Sequence, residues 1–530
     1  MTAFLILIAV VIFTCIWLNN VSSRIGVPTL LAFIVLGIIF GNADPIPISL
    51  NDYLYAKDVC TVALIFIMFY GGFGTRWEAV KPVVREAGLL ASAGVILTAA
   101  LTGLFCHFAL GWAWGESLLL GAVVSSTDAA SVFSILRSKK LGLKNNTAPM
   151  LEMESGSNDP CAYMLTAIMM SIVTRSATGA SVVWMIFSQV AFGAGLGWLI
   201  AKVATFALHR IRFMTEGFDT LFLFATAIAS YALPELCGGN GYLSTYIVGM
   251  MLGNEDFKGK KKMAGFFDGL TGLMQVLIFF LLGLLARPAA LHKAILPALA
   301  ISVFLLLVAR PASVFAILSP FKKYSGRQQA LVSFVGLRGA ASIVFAIMAV
   351  TGSGLYLKND LFNIVFCIVL LSISLQGSFI PLMSRKLDML DKNSNVLKSF
   401  NDYSEDLELQ FGQMEIVQGD TWDGKAVKEL SLPHNFLIVL VLRGTEQIIP
   451  RGDTLLRAGD KIVMLNRTVE NDTFYLEEKI IKPDGRRAGR RISEVPGEGL
   501  VVLIIRKEKT LVPHGNTRLE AGDRIILLRK

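Results

Sequence analysis

The run Glu154-Ser155-Gly156-Ser157-Asn158-Asp159-Pro160 sets two carboxylates and an amide inside an otherwise apolar stretch from about 148 to 173. A carboxylate at the centre of a spanning helix costs roughly 2.5–3.5 kcal/mol, so such residues face a water-filled path and move ions or protons. In a helix Asp159 and Ser155, four apart, share a face, while Glu154 is turned about 100° from Ser155 toward a different neighbour. A carboxylate neutralised by either a proton or a monovalent cation has two loaded states of similar charge, which suffices for exchange by alternating access. With Asn158 rather than a second acid beside Asp159, one-for-one electroneutral exchange is expected. Asp128, in another apolar stretch, changes that count if it also titrates.

The elements that position these groups are membrane helices. Of 530 residues 54% are hydrophobic, the mean hydropathy is +0.60, and charge is concentrated after about Ser384. Thirteen apolar blocks precede it, at roughly 3–19, 28–41, 58–74, 87–109, 116–136, 148–173, 180–207, 218–234, 240–254, 264–286, 293–318, 328–350 and 360–383. A bilayer core takes about 20 helical residues, so the second, third and ninth are short and twelve spans remain an alternative. The first block has no basic flank or small-residue cleavage site and reads as a retained helix. With the N-terminus outside, seventeen Lys and Arg fall on cytoplasmic connections and five outside. The positive-inside rule then places the polar C-terminal region in the cytoplasm, beneath an inner or plasma membrane. The net charge of +9 reflects topology and contact with anionic lipids, not nucleic-acid binding. Trp112 and Trp114 suit an interface. The six scattered cysteines and His107 read as packing residues. Neither a nucleophile with its base, a metal cluster nor a phosphate loop stands out, so an enzyme is not expected, and no metal beyond a transported monovalent cation.

Two small-residue runs interrupt apolar blocks: Thr127-Asp128-Ala129-Ala130-Ser131-Val132-Phe133 and Arg338-Gly339-Ala340-Ala341-Ser342-Ile343-Val344-Phe345. Paired discontinuous helices of this kind bind ions at their free ends; small residues also serve close packing. Ser126-Thr127-Asp128-Ala129, the 154–160 block and Gly336-Leu337-Arg338-Gly339-Ala340, in that order, resemble the monovalent cation/proton antiporters of the NhaP-like (CPA1) branch. The resemblance implies a homodimer with an inverted-repeat membrane domain and two crossed broken helices. It also implies that Asp159 carries cation and proton in turn, that Asn158, Thr127, Asp128 and Ser155 shape the site, and that Glu154 and Arg338 hold one another across two helices. A fixed guanidinium is the natural partner for a buried Glu. One departure is Tyr70, in Phe69-Tyr70-Gly71-Gly72, where relatives often carry an acid; it puts carried-over selectivity in doubt. Gly193, Gly195, Gly197, Gly249 and Gly253 mark close packing or hinges, and Glu235, Asp268, Gln275 and Arg310 are candidates to line an entrance.

Beyond a membrane domain (1–387) and a linker (388–404) come two modules, 405–470 and 471–530, in which residues 436–465 and 499–528 match at an offset of 63. Val439, Arg443, Pro450, Gly452, Gly459 and Asp460 match Val502, Arg506, Pro513, Gly515, Gly522 and Asp523. Each copy reads as an apolar strand, a turn, a short strand, then an Ala-Gly-Asp turn into a third strand. Both resemble the TrkA-C ligand-sensing module of potassium-conductance regulators, without a dinucleotide fingerprint before either copy. The resemblance implies a small regulatory ligand, a nucleotide or cyclic dinucleotide; the competing role is a dimerisation and stability module. The potassium-linked tail favours K+ over Na+. The alternatives are a Na+/H+ antiporter, a K+ channel-like protein, whose Thr-Val-Gly-Tyr-Gly-like filter is absent, and a regulatory membrane protein.

Overall fold

A computed structural model of the chain describes residues 10, 13–14, 29–42, 53–138, 141–176, 179–210, 217–257, 259–286, 288–352, 357–391, 409–430, 432, 436–444, 446–467, 475–481, 489–492, 500–506, 509–511 and 517–529. Most of the expected first span, 3–19, most of the linker, and Pro513 and Gly515 lie outside the described residues. The chain divides into two compact units, 1–405 and 406–530.

The first unit is helical. Its elements are α1 (Thr29–Asn42), α2 (Tyr53–Gly74), α3 (Trp77–Leu110), α4 (Trp114–Val123), α5 (Ala129–Ser138), α6 (Thr147–Val173), α7 (Gly179–Arg210), α8 (Phe218–Leu236), α9 (Gly241–Asn254), α10 (Lys260–Leu285), α11 (Leu291–Leu318), α12 (Gly326–Phe334), α13 (Ala340–Thr351) and α14 (Leu361–Lys386). Six of these (α2, α3, α7, α10, α11 and α14) are long and apolar enough to cross a membrane. The fifth and twelfth apolar blocks are each two half-helices: α4 and α5 flank an unwound 124–128, and α12 and α13 flank 335–339. Single π turns lie within α3, α11 and α14, at Leu90–Gly94, Leu305–Ala309 and Ser372–Gly377. Such bulges turn the rest of the helix about its axis and often mark functional positions.

Most packing sorts the helices into two groups, α1, α2 and α7–α10 in one and α3–α6 with α11–α14 in the other, with α13 also laid closely against α2 across the seam between them. Within the first, glycines let backbones touch. A Cβ at Gly249 would strike the Phe69 carbonyl, one at Gly72 the Tyr246 carbonyl, and those at Gly193 and Gly197 would come within 2.9 Å of Asn240 and Ser244; Gly195 faces open space. Within the second, a Cβ at Gly121 would strike the Ala99 carbonyl. Small residues supply this approach where lipid gives helices no hydrophobic reason to associate.

A two-residue strand β1 (Gly142–Leu143) pairs antiparallel with β2 (Leu390–Asp391). The second unit holds two four-stranded antiparallel sheets. One is β3 (Leu409–Glu415), β4 (Phe436–Arg443), β5 (Glu446–Ile448) and β6 (Lys461–Arg467), in the order β3-β6-β4-β5. The other is β7 (Tyr475–Ile480), β8 (Leu500–Arg506), β9 (Lys509–Leu511) and β10 (Arg524–Arg529), in the order β7-β10-β8-β9. The duplication extends to side chains. Arg443 donates through Nε and Nη2 to Asp460, both at 2.8 Å, and Arg506 to Asp523 at 2.8 and 2.7 Å. The guanidinium beside each holds that carboxyl below the usual Asp range. The intervening turns require Gly459 and Gly522 at φ +87° and +90°, open to glycine at no steric cost.

Candidate ion-exchange site

Unwinding a helix inside a membrane leaves backbone groups that must find partners. The two breaks meet: the Asp128 N–H donates to the Leu337 carbonyl at 2.9 Å, and the Ser126 and Ser342 hydroxyls lie 3.4 Å apart. The carbonyl-bearing ends of α4 and α12 are met by donors. Arg338 Nη1 reaches the Ser125 and Ser126 carbonyls at 3.3 and 2.7 Å, and Gln376 Nε2 donates to the Phe334 carbonyl. The N–H-bearing ends of α5 and α13 are met by an acid. Asp128 accepts from the Ser131 amide at 3.4 Å and from its hydroxyl, as an N-cap does. A Cβ on Gly339, just before α13, would collide with the same carboxylate. Anion at helix starts and cation at helix ends is the arrangement the peptide dipoles favour.

Against this crossing lies α6. Ser155 Oγ is 3.0 Å from Thr127 Oγ1, and Asn158 Nδ2 donates to the same oxygen at 2.5 Å. Asp159 is next on this face, 6% exposed, with Ser126 and Asp128 beside it. Among the described residues Asp159 Oδ1 and Asn158 Oδ1 accept no hydrogen bond. Pro160 has no N–H, so the Gly156 carbonyl loses its helical donor. Gly156 admits the Tyr246 ring, which a Cβ would approach to 2.6 Å. Carboxylate, amide, hydroxyl and carbonyl oxygens, desolvated and short of donors, can take a proton or a hard monovalent cation. No cluster of metal-ligating His, Cys, Asp or Glu occurs among the described residues.

The structure thus gathers Asp159, Asn158, Ser155, Thr127 and Asp128 at one crossing. It corrects the expected Glu154–Arg338 pair. Glu154 Oε1 is held by Arg310 Nη2, with the two side chains 0% and 3% exposed. Two features explain the exchange of partners. Arg310 comes directly after the π turn of α11, and Gly336 leaves room for it, since a Cβ there would stand 2.8 Å from Arg310 Nε. Arg338 is drawn instead to the bare carbonyls of the first break. Of the four entrance candidates, Arg310 is therefore buried in this pair, Asp268 is exposed, and Glu235 and Gln275 are half-buried. Tyr70 is buried in an apolar cluster with Phe66, Phe69 and Phe73. Sequence reading named Ser342 only as part of the 338–345 run and passed over Ser372 and Gln376; Ser372 Oγ accepts from the Arg338 amide at 2.9 Å. A polar group inside an apolar helix was the signal for each.

A multi-pass helical membrane protein with crossed broken helices around a buried carboxylate falls in the class of secondary ion exchangers. The chain belongs to the sodium/hydrogen exchanger family of monovalent cation/proton antiporters: the family described as sodium/hydrogen exchanger, transmembrane, matches residues 8–386, and the TrkA-C domain matches 412–465 and 476–528. It is 34% identical over 459 residues to the K(+)/H(+) antiporter NhaP2 of Shewanella sp. (strain ANA-3), covering 85% of this chain and 79% of that one. It is 32% identical to the K(+)/H(+) antiporter NhaP of Alkalimonas amylolytica, covering 84% and 78%. The fold is similar to that of the sodium proton antiporter MjNhaP1 from Methanocaldococcus jannaschii, with a TM-score of 0.62 at 21% identity over 72% of this chain and 97% of that one.

Proposed function

We propose that the chain exchanges K+ for H+, one for one, through Asp159, as a homodimer in the inner membrane with its tail in the cytoplasm. The observation that carries this reading is the charge inventory of the crossing. Arg310 and Arg338 bring two positive charges, Glu154 and Asp128 two negative, and Asp159 is the carboxylate left over, with an oxygen that accepts no hydrogen bond among the described residues. A proton or one monovalent cation completes the balance in either loaded state, which makes the cycle electroneutral. Potassium is favoured by the two relatives named for K(+)/H(+) exchange and by the tail; sodium is the second reading, favoured by the family match over the membrane unit. Thirteen spans arranged as inverted repeats, anionic-lipid contact and regulation of transport by a nucleotide or cyclic dinucleotide on the tail belong to the same proposal. It requires no enzymatic activity and no resident cofactor.

The test is cation-induced proton release from everted vesicles, scanned over K+, Na+ and Li+, with and without collapse of the membrane potential. Expected is release with K+ at the lowest half-saturating concentration, insensitive to potential, and its abolition in Asp159→Asn, whose amide cannot bind or release a proton near neutral pH. Exchange at near-normal rate in Asp159→Asn removes the assignment.

A further inference from the structure

One helical turn beyond Asp159, toward the end of the bundle that the charge count places outside, α6 carries Tyr163. Its ring is 9% exposed and lies edge-on to Tyr242 at 5.0 Å and 6.1 Å from Phe345. Its hydroxyl donates to Glu235 Oε1 at 3.1 Å, and the same oxygen accepts from the Gly241 amide at 3.1 Å. Tyr163 and Phe345 belong to the group α3–α6 with α11–α14; Tyr242, Glu235 and Gly241 belong to α8, α9 and the turn between them. One turn closer to Asp159, Asn240 Nδ2 donates to the Pro160 carbonyl at 2.8 Å, again from one group to the other. A half-buried carboxylate and three aromatic rings therefore lie on the outer side of the site, and two hydrogen bonds there, Tyr163 to Glu235 and Asn240 to the Pro160 carbonyl, run across the seam between the two helix groups.

Alternating access proceeds by rocking one helix bundle against another around a fixed site. A hydrogen bond across the seam on one side of the site exists only while that side is shut. We propose that Tyr163 and Glu235 form the outer gate: their hydrogen bond stabilises the outward-closed state and sets how often Asp159 is presented to the outside. The proposal rests on the antiporter reading of the site but concerns residues outside it. Tyr163 and Glu235 act on access; the ion is held elsewhere.

The gate makes a sided prediction. Losing one hydrogen bond of ordinary net strength moves a two-state equilibrium by about fivefold, and apparent affinity on each face scales with the fraction of protein open to that face. In proteoliposomes of the full-length chain with defined orientation, Tyr163→Phe should lower the half-saturating K+ concentration at the outer face by up to about fivefold and raise it at the inner face. Glu235→Ala, which removes the acceptor from the opposite group, should do the same. The two together should shift the ratio no further than either alone, and Glu235→Gln, which keeps an acceptor oxygen, should restore the wild-type ratio. Unchanged half-saturation at both faces, or equal movement in the same direction at both, overturns the gate. If the wild-type protein exchanges no K+, Na+ or Li+, the antiporter reading fails instead. If one variant does not assemble, the other still decides, because each removes the same bond from a different helix group.

Discussion

The two helix groups are built by one kind of contact and joined by another. Inside each group backbone lies on backbone, as at Gly249 against Phe69 and Gly121 against Ala99, where a single methyl would collide with a carbonyl. Across the seam the partners are side chains: Tyr246 over Gly156, Asn240 to the Pro160 carbonyl, Tyr163 to Glu235. Backbone contacts at van der Waals distance cannot shift without clash, and interiors packed that way hold their shape. Side-chain hydrogen bonds and ring edges are worth about 1 kcal/mol each and can be exchanged. The contrast separates parts that must stay rigid from a surface that must be remade in every transport cycle.

The sharpest probe of rigidity is the pair buried inside the second group. Removing one partner of a buried ion pair costs about 3–5 kcal/mol, so Glu154→Gln and Arg310→Ala should each lower the melting temperature in detergent severely, and the double variant should recover part of the loss. Arg338→Ala should also destabilise, through the carbonyls it leaves bare, but should couple to Glu154→Gln more weakly than Arg310→Ala does. Strong coupling of Glu154 to Arg338 in that cycle would return the pair to the arrangement expected from sequence.

A glycine contact should cost less. Gly249→Ala forces overpacking worth about 1–3 kcal/mol and should lower thermal stability while leaving the ratio of half-saturating concentrations at the two faces unchanged. A changed ratio would mean that the interior of a group also governs access, and the contrast would break.

The smallest effect is expected in the tail. Asp460 and Asp523 are held below the ordinary Asp value by Arg443 and Arg506. Their contribution to stability is present above the unfolded value of about 4 and is lost as pH falls through the depressed folded value. Hydrogen exchange in 436–443 and 500–506 should therefore accelerate relative to its intrinsic rate below about pH 4, and Asp460→Asn should remove that acid dependence in the first sheet alone. A chain ended near Asn395 should keep exchange activity, with its pH profile or cation dependence shifted; loss of folding would make the tail a stability module.

The site's carboxylate and its immediate neighbours were legible because polarity inside an apolar helix is conspicuous. Asp159, Asn158, Ser155, Thr127 and Asp128 each stand out that way, and the Ala-Ala-Ser runs located both helix breaks. Partnership across helices was not legible. Glu154 and Arg310 are 156 positions apart, and the choice between two buried arginines turned on a π turn and on the missing Cβ of Gly336, neither of which a one-dimensional pattern displays. Tyr163 does not stand out in the sequence because a tyrosine on an apolar face presents its ring to the pattern and its hydroxyl only to the fold. In the tail the offset of 63 carried the duplication down to the Arg–Asp pairs. The leading strands β3 and β7 were missed as strands because LQFGQME and YLEEKI mix polar residues into short runs whose pairing is decided by β6 and β10.

The two-residue ribbon of β1 and β2 has a mechanical consequence. Strand β2, at Leu390–Asp391, holds the last described residues of the membrane unit, and β1, at Gly142–Leu143, lies between the first broken helix and α6. The Lys144 amide donates to the Met389 carbonyl at 2.9 Å and its ammonium to Asp388 at 3.0 Å, while Gln328 of α12 ties the adjoining turn through the Asn145 carbonyl and Thr147 at 3.1 and 3.0 Å. A pull on the chain beyond Asp391 is therefore borne first by the ribbon and delivered to Thr147, the opening residue of the helix that carries Asp159.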